Sequence, residues 1–140
     1  MIRIRVFNTY PKHRIGVKET ISIATRVLKK ERVKYADLNI VFINEKRMVK
    51  LNGEFCRHWY TTDVLSFPLA DDNKGQVEGE IYVNVDQAAY QSKEYNVSLR
   101  NEISRLVIHG ILHIIGYDDK TGVQKERMTR LENVYLGLRT

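Results

Sequence analysis

The sequence predicts an α/β (α+β) fold, in which helices surround one small mixed sheet. Short runs rich in branched apolar residues alternate with longer segments whose apolar residues recur at helical spacing. No proline- or glycine-rich linker divides the 140 residues, so we expect residues 1–140 to form a single domain. The stretch 106–116 is apolar on nearly every side, which predicts a helix at the centre of the fold.

Four segments have the composition of strands. In the first, Ile2, Ile4 and Val6 alternate with residues of the opposite face, as in a half-buried strand. The other three are short runs of branched or aromatic residues at 38–43, 64–67 and 81–83, and Pro68 closes the third strand. Residues 71–75 have the chemistry of a turn or loop.

Five helices are predicted from apolar spacing and from capping residues. The first runs from Val17 to about residue 32, and the second is short, capped by Asn44 and followed by a loop over 53–63. The third covers 86–95, and the fourth, capped by Ser98, covers about 99–115. The last helix is predicted from an apolar stripe of four residues, Met128, Leu131, Tyr135 and Leu138.

Composition and charge restrict the function classes. The chain carries 23 basic and 17 acidic residues, a formal net charge of +6, which suits a polyanionic partner. Its one cysteine, Cys56, excludes an intrachain disulfide and fits a reducing compartment. Because no apolar run reaches the length of a membrane span and no signal peptide is visible, we expect a cytoplasmic protein without a membrane partner.

Two histidines stand in the most apolar stretch of the chain. His109 and His113 are four residues apart, so on a helix they share one face, and each imidazole there needs a partner. Gly116 follows where a helix end needs a residue that tolerates positive φ, and Asp119 comes six residues after His113. The pattern supplies three ligands to one divalent metal and leaves a position open for water, which is typical of catalytic zinc sites.

Two alternatives to this ligand set stay open. The histidines could be core residues that bond carbonyl groups or water, although the turn and the third ligand favour a metal. Asp118 is a rival third ligand, although the spacing favours Asp119.

The segment from His109 to Asp119 resembles the signature of the YbeY endoribonucleases, the ribosomal RNA maturation factors. The family pattern reads His-Gly-x-Leu-His-x-x-Gly-Tyr-Asp-His. A second segment, with Leu51-Asn52, Arg57 and residues 62–68, resembles the family's Leu-Asn-x-x-x-Arg followed by Pro-Thr-Asp-Val-Leu-Ser-Phe-Pro. Shorter resemblances involve a strand and the closing helix of the family, at Gly79-Glu80-Ile81, Met128 and Glu132.

Two departures from the family pattern bear on the site. Asp119 stands where the family has histidine; carboxylate oxygen is an acceptable zinc ligand, but it adds a negative charge that lowers the Lewis acidity of the metal. It also widens the choice of metal toward harder ions such as manganese. Thr61 stands where the family has proline, in a loop from Arg57 to Asp63 that is one residue shorter, which affects the shape of the loop.

The resemblance implies a fold and a function. The fold is a four-stranded sheet with about five helices and one metal at the base of a cleft. The function is a metal-dependent endoribonuclease, specific for single strands, that acts in maturation of the 3′ end of small-subunit (16S) ribosomal RNA and in ribosome quality control. The partners are single-stranded RNA and the small ribosomal subunit, with no DNA; the cofactor is one divalent metal, for which we expect zinc.

Other residues are candidates for contacts with the substrate. Arg57 matches the arginine of the family's cleft, and its planar guanidinium suits phosphate, which makes it the candidate catalytic clamp. His58 and Trp59 lie in a loop that mixes basic and aromatic residues, as do sites that stack unpaired bases; a role for its aromatic residues as core anchors is the alternative. Thr62 and Asp63 are predicted to line the cleft, although turn formation explains them equally well. The weak candidates for a general base are Asp63, Glu80 and Asp118.

Two other functions remain open. A metallohydrolase of peptides or small molecules is disfavoured, because Gly110 occupies the position of the glutamate in His-Glu-x-x-His proteases. A non-catalytic ribosome assembly factor with a structural metal is the other alternative, since Asp119 weakens the Lewis acid.

Overall fold

The computed structural model describes residues 1–69 and 76–137, which form one sheet packed against helices. The strands are β1 (Ile2–Asn8), β2 (Tyr35–Ile43), β3 (Val64–Pro68) and β4 (Gln76–Asn84). The helices are α1 (Val17–Lys30), α2 (Glu45–Cys56), α3 (Val85–Glu94), α4 (Leu99–Ile114) and α5 (Gly122–Tyr135). Within these residues, the predicted fold class of a mixed four-stranded sheet with five helices is confirmed.

The sheet has the strand order β1-β2-β4-β3. β1, β2 and β4 run parallel, whereas β3 pairs antiparallel with β4 at one edge. Side chains alternate between the two faces of a strand, so Ile81 points into the core and Glu80 to the opposite face. The helix α4 packs on β3 and β4 on the core face.

The helix α4 occupies the centre of the fold, as its composition predicts. It contacts α1, α3 and α5 as well as the two strands. Its fully or almost fully buried apolar residues form much of the core: Leu106, Val107, Ile108, Ile111 and Leu112. Among the described residues, none forms a helix long and apolar enough to cross a bilayer.

Several predicted boundaries are wrong. The helix α2 continues through Cys56, so residues 53–56 are helical and do not belong to the predicted loop. Gly53 does not end the helix, because the indole of Trp59 packs directly on its backbone. The strand β4 is nine residues long instead of the three predicted, because its polar side chains lie on the face away from the core. The strand β2 likewise begins earlier, at Tyr35.

The capping predictions for two helices are confirmed. The side chain of Asn44 accepts a hydrogen bond from the Arg47 amide, and Ser98 accepts one from the Asn101 amide. A capping box at the start of α5, formed by Thr121 and Gln124, was not predicted. The predicted turn at 71–75 and Leu138 lie outside the described residues.

Gly110 lets α4 approach the sheet closely. A Cβ atom at this position would lie 2.7 Å from Cγ2 of Ile81 and 3.1 Å from Oγ of Ser66, whose hydroxyl donates to the Gly110 carbonyl at 3.0 Å. We therefore expect Gly110→Ala to lower the free energy of unfolding by about 1–3 kcal/mol through overpacking. Thermal denaturation measures this loss. Gly122→Ala is the matched control, because a Cβ atom there meets nothing within 4 Å; equal melting temperatures for the two variants would contradict the prediction.

Candidate metal centre

Three side chains converge where α4 ends. His109 and His113 stand one helical turn apart on the same face, with their Nε2 atoms 3.1 Å from each other. Oδ2 of Asp119 lies 3.5 Å from Nε2 of His109 and 3.4 Å from Nε2 of His113. All three residues are partly buried, so the atoms meet at the protein surface without being enclosed.

The turn after α4 brings the aspartate back to the histidines. Gly116 has a φ of +113°, the left-handed region predicted for this position. Its amide donates to the His113 carbonyl, and the Tyr117 amide donates to the Leu112 carbonyl, which is the double closure of a Schellman motif. Asp118 is exposed and, among the described residues, belongs to no such ligand cluster, whereas Asp119 does.

The three atoms fit a divalent metal in size and in chemistry. Ligands at about 2.0–2.2 Å from a tetrahedral metal are roughly 3.3–3.6 Å apart, and the observed separations of 3.1, 3.4 and 3.5 Å are close to that triangle. Two imidazoles and one carboxylate suit zinc and also harder ions such as manganese. The geometry leaves the side facing the solvent open for further ligands.

Glu132, on α5, holds one of the histidines in position. Its Oε2 lies 2.7 Å from Nδ1 of His109, and its Oε1 accepts a hydrogen bond of 3.0 Å from Arg105. A proton on Nδ1 that is donated to this buried carboxylate leaves Nε2 with a free lone pair toward Asp119. Burial lowers the pKa of His109, but the hydrogen bond to Glu132 and the charges of Glu132, Asp119 and Asp63 raise the pKa above its ordinary value overall.

The role of Glu132 is not predicted from the sequence, where this residue belongs only to the resemblance of the closing helix. The sequence signal for a buried role is the position of Glu132 one turn after Met128, which places a carboxylate beside the apolar stripe of α5. Both residues are buried in the structure. A buried acid on an amphipathic helix needs a cationic or hydrogen-bonding partner.

A cleft of about 440 Å³ opens above the three ligands. β3 and the residues before it form the opposite wall, and both Thr62 and Asp63 line it as predicted. The described residues that line the cleft include one of the three candidate bases, Asp63. Glu80 lies on the far face of the sheet, where its carboxylate accepts a hydrogen bond from the Tyr82 hydroxyl.

The loop that carries the other predicted residues leads into this cleft. Arg57 ends α2 in the left-handed conformation, with a φ of +58°, and is exposed together with His58 and Trp59. These three residues are not among the described residues that line the cleft. Trp59 is 66% exposed, so it is not a core anchor. The buried Asn84 fixes the cleft end of the loop through Thr61 Oγ1 and the Thr62 carbonyl.

Glu102 is a second buried carboxyl on the face of α4 that carries the histidines. Its Oε2 accepts a hydrogen bond from Gln91 at 2.6 Å, while Oε1 has no partner among the described residues. Burial raises the pKa of this carboxyl above its ordinary value, although the bond from Gln91 opposes the shift. The folded protein therefore keeps the proton to higher pH than the unfolded chain, and the free energy of unfolding contributed by this group falls as pH rises above about 4.5.

We expect Glu102→Gln to remove this pH dependence. An amide resembles the protonated carboxyl, so the variant should gain melting temperature relative to wild type, with a larger gain at about pH 8 than at about pH 5. Thermal melts of both proteins across that range measure the difference. A constant difference, or a variant that is less stable at the higher pH, would contradict the assignment.

Comparisons with known proteins identify the family that this chain resembles. The family model described as Endoribonuclease YbeY matches residues 6–138. An Endoribonuclease YbeY of Chloroherpeton thalassium is 37% identical over 79% of this chain and 77% of its own length, and one of Salinibacter ruber is 30% identical over 95% and 89%. The solution structure of a Thermotoga maritima protein superimposes with a TM-score of 0.65 at 28% identity, covering 98% of this chain and 90% of that one.

Proposed function

The chain belongs to the YbeY family of endoribonucleases, and we propose that His109, His113 and Asp119 hold the single divalent metal with which it cleaves RNA. An endoribonuclease is a hydrolase of RNA phosphodiester bonds. The observation that carries the proposal is the triangle of ligand atoms at the base of the cleft, with His109 oriented by Glu132. A divalent cation held by these three residues would supply Lewis-acid chemistry, which polarises a phosphoryl oxygen and makes water a better nucleophile near neutral pH.

We propose zinc as the metal and single-stranded RNA as the substrate. Two imidazoles and an oxygen ligand with an open position are typical of catalytic zinc sites. The RNA is the precursor of small-subunit ribosomal RNA, near its 3′ end, and ribosome quality control is the related role. The small ribosomal subunit as partner, the cytoplasm as location, and the absence of DNA and membrane partners belong to the same proposal.

The chain's own residues would position the RNA around the metal. Arg57 is proposed as the clamp on the phosphate, since its exposed guanidinium stands at the start of the loop that leads into the cleft. Asp63 lines the cleft and is the base candidate that the geometry favours. Thr62 also lines the cleft and is proposed to contact the RNA backbone beside Asp63. His58 is proposed to contact the incoming RNA strand.

Peptide hydrolysis fits the site poorly. Proteases of the His-Glu-x-x-His class need a glutamate beside the metal at the position of Gly110. Here that position faces the sheet, where even a methyl group would lie 2.7 Å from Ile81. A glutamate at this position would clash with the sheet.

Metal-loaded protein incubated with single-stranded RNA, duplex RNA, single-stranded DNA and a set of peptides tests the proposal. We expect cleavage of single-stranded RNA alone, lost on chelation and restored by zinc. Arg57→Ala should keep the metal and lose cleavage, whereas Lys125→Ala, an exposed residue of α5, should keep both. Bound metal without cleavage of any RNA would favour a structural metal, and peptide cleavage would favour the other hydrolase.

A further inference from the structure

Trp59 is an exposed aromatic residue in the loop that leads to the cleft, and its indole packs on α2. A Cβ atom on Gly53 would lie 2.1 Å from Cδ2 and Cε3 of the indole, so the ring packs directly against the backbone of α2. The side chain is nevertheless 66% exposed. Packing of the ring on Gly53 restricts its movement, while the exposed remainder presents aromatic surface to the solvent.

Two lysines of α2 lie on the same side of the helix as Gly53, on which the indole packs. Lys46, Lys50 and Gly53 are spaced i, i+4 and i+7, which places them in one row on a helix. Among the described residues, Lys46 has no carboxylate within 4.0 Å, and Lys50 reaches only the exposed Glu54, at 3.9 Å. Both lysines also border a surface groove of about 680 Å³, whose lining includes Arg47 and Glu54 but not Trp59. The row therefore ends in an aromatic ring and carries two cations available to an anion.

The loop that carries Trp59 leads from this row to the cleft of the metal centre, where Thr62 and Asp63 belong to the lining. Trp59 precedes Thr62 by three residues, so the two Cα atoms are no more than about 11 Å apart. Two side chains hold the loop after Trp59, because Asn52 donates to the Tyr60 carbonyl at 3.0 Å and Asn84 donates to the Thr62 carbonyl at 3.1 Å. The backbone of Trp59 therefore lies near a residue that lines the cleft, within reach of a strand bound there.

The geometry points to an anchoring subsite for single-stranded RNA outside the cleft, in which a base stacks on the open face of Trp59 and phosphates contact Lys46 and Lys50. This inference rests on the proposed function and extends it. Stacking on an aromatic ring beside cations is how proteins hold unpaired strands without reading their sequence. RNA fits the charge of this surface, because each nucleotide brings a phosphate that an exposed lysine can neutralise.

Trp59 is the one tryptophan of the chain, so its fluorescence reports on the subsite directly. Metal-loaded protein is titrated with a single-stranded oligonucleotide whose 2′-O-methyl and phosphorothioate groups resist cleavage. We expect quenching by this strand and not by inorganic phosphate or by a duplex. By anisotropy of a labelled strand, Trp59→Ala should lose at least about fivefold in affinity, and Trp59→Phe should recover most of it.

Three further variants complete the test. Lys50→Ala should lower the slope of log affinity against log salt by about 0.7, as expected for one lost phosphate contact on a single strand. Gly53→Ala should displace the indole and reduce quenching although the tryptophan is present. Tyr95→Ala, at an exposed aromatic residue after α3, is the matched control and should bind RNA as wild type does. Metal content should be the same in all of them.

The outcomes separate the subsite from the proposed function. If Trp59→Ala binds and cleaves RNA with wild-type affinity and KM, the subsite is wrong while the proposed function stands. If wild type binds RNA with quenching and cleaves none, the proposed function fails and the subsite stands as an RNA-binding surface. The RNA-free total protein of small ribosomal subunits is titrated in parallel, and quenching by it without any by the single strand would overturn the subsite in favour of a protein interface.

Discussion

Replacing His113 by alanine is expected to reduce metal affinity by more than about 100-fold and to abolish cleavage of single-stranded RNA. Loss of a partner that only orients a ligand typically costs 10–100-fold in affinity, so loss of a ligand itself should exceed that range. The side chain is 28% exposed at the edge of the cleft, so its truncation leaves the core intact. Metal content after dialysis, together with cleavage of labelled RNA, measures both effects.

Two matched controls accompany this variant. His13→Ala removes an imidazole that packs against Tyr10, far along the chain from the ligands, and should leave metal content unchanged. Asp118→Ala and Asp119→Ala form a neighbouring pair in which only the second should lose metal, because Asp119 alone of the two lies with the histidines. Full metal content in His113→Ala, or equal losses in the two aspartate variants, would refute the ligand set.

Glu132→Gln is expected to weaken metal binding by about 10–100-fold while all three ligands remain. The carboxylate accepts hydrogen bonds from two donors, Arg105 and His109. An amide offers one oxygen, so its NH₂ group must face one of these donors, and the His109 ring loses either its orientation or its proton partner. We also expect about 1–3 kcal/mol less stability, because a buried donor loses its acceptor.

Competition with a chelator of known affinity measures the metal affinity of this variant. Glu126→Gln is the matched control, since Glu126 is an exposed acid on the same helix. A variant that is less stable but binds metal as tightly as wild type would show that Glu132 stabilises the fold without orienting the ligand.

The convergence of the three candidate ligands could be predicted from the sequence because it is local. One helix and one turn hold His109, His113 and Asp119 within eleven residues, and Gly116 marks the turn between them. Spacing along a helix then determines which side chains share a face. The structure brings the three together in the predicted arrangement.

Contacts that depend on packing could not be predicted in the same way. Glu132 meets His109 across 23 residues, through the docking of α5 on α4, and no periodicity in the sequence encodes that approach. The end of α2 could not be predicted for a related reason. In sequence, Gly53 is typical of a helix end, whereas in the structure the indole of Trp59 packs on its backbone inside the helix. The full length of β4 could not be predicted from runs of apolar residues, because the strand carries polar side chains on the face away from the core.

Anomalous diffraction from crystals of the metal-loaded protein, measured at the absorption edge of the metal, shows whether these three side chains hold the metal. We predict one anomalous peak about 2.0–2.2 Å from Nε2 of His109, Nε2 of His113 and a carboxylate oxygen of Asp119, with its remaining side open to the cleft. A peak coordinated by other residues, or none between these three side chains, would contradict it.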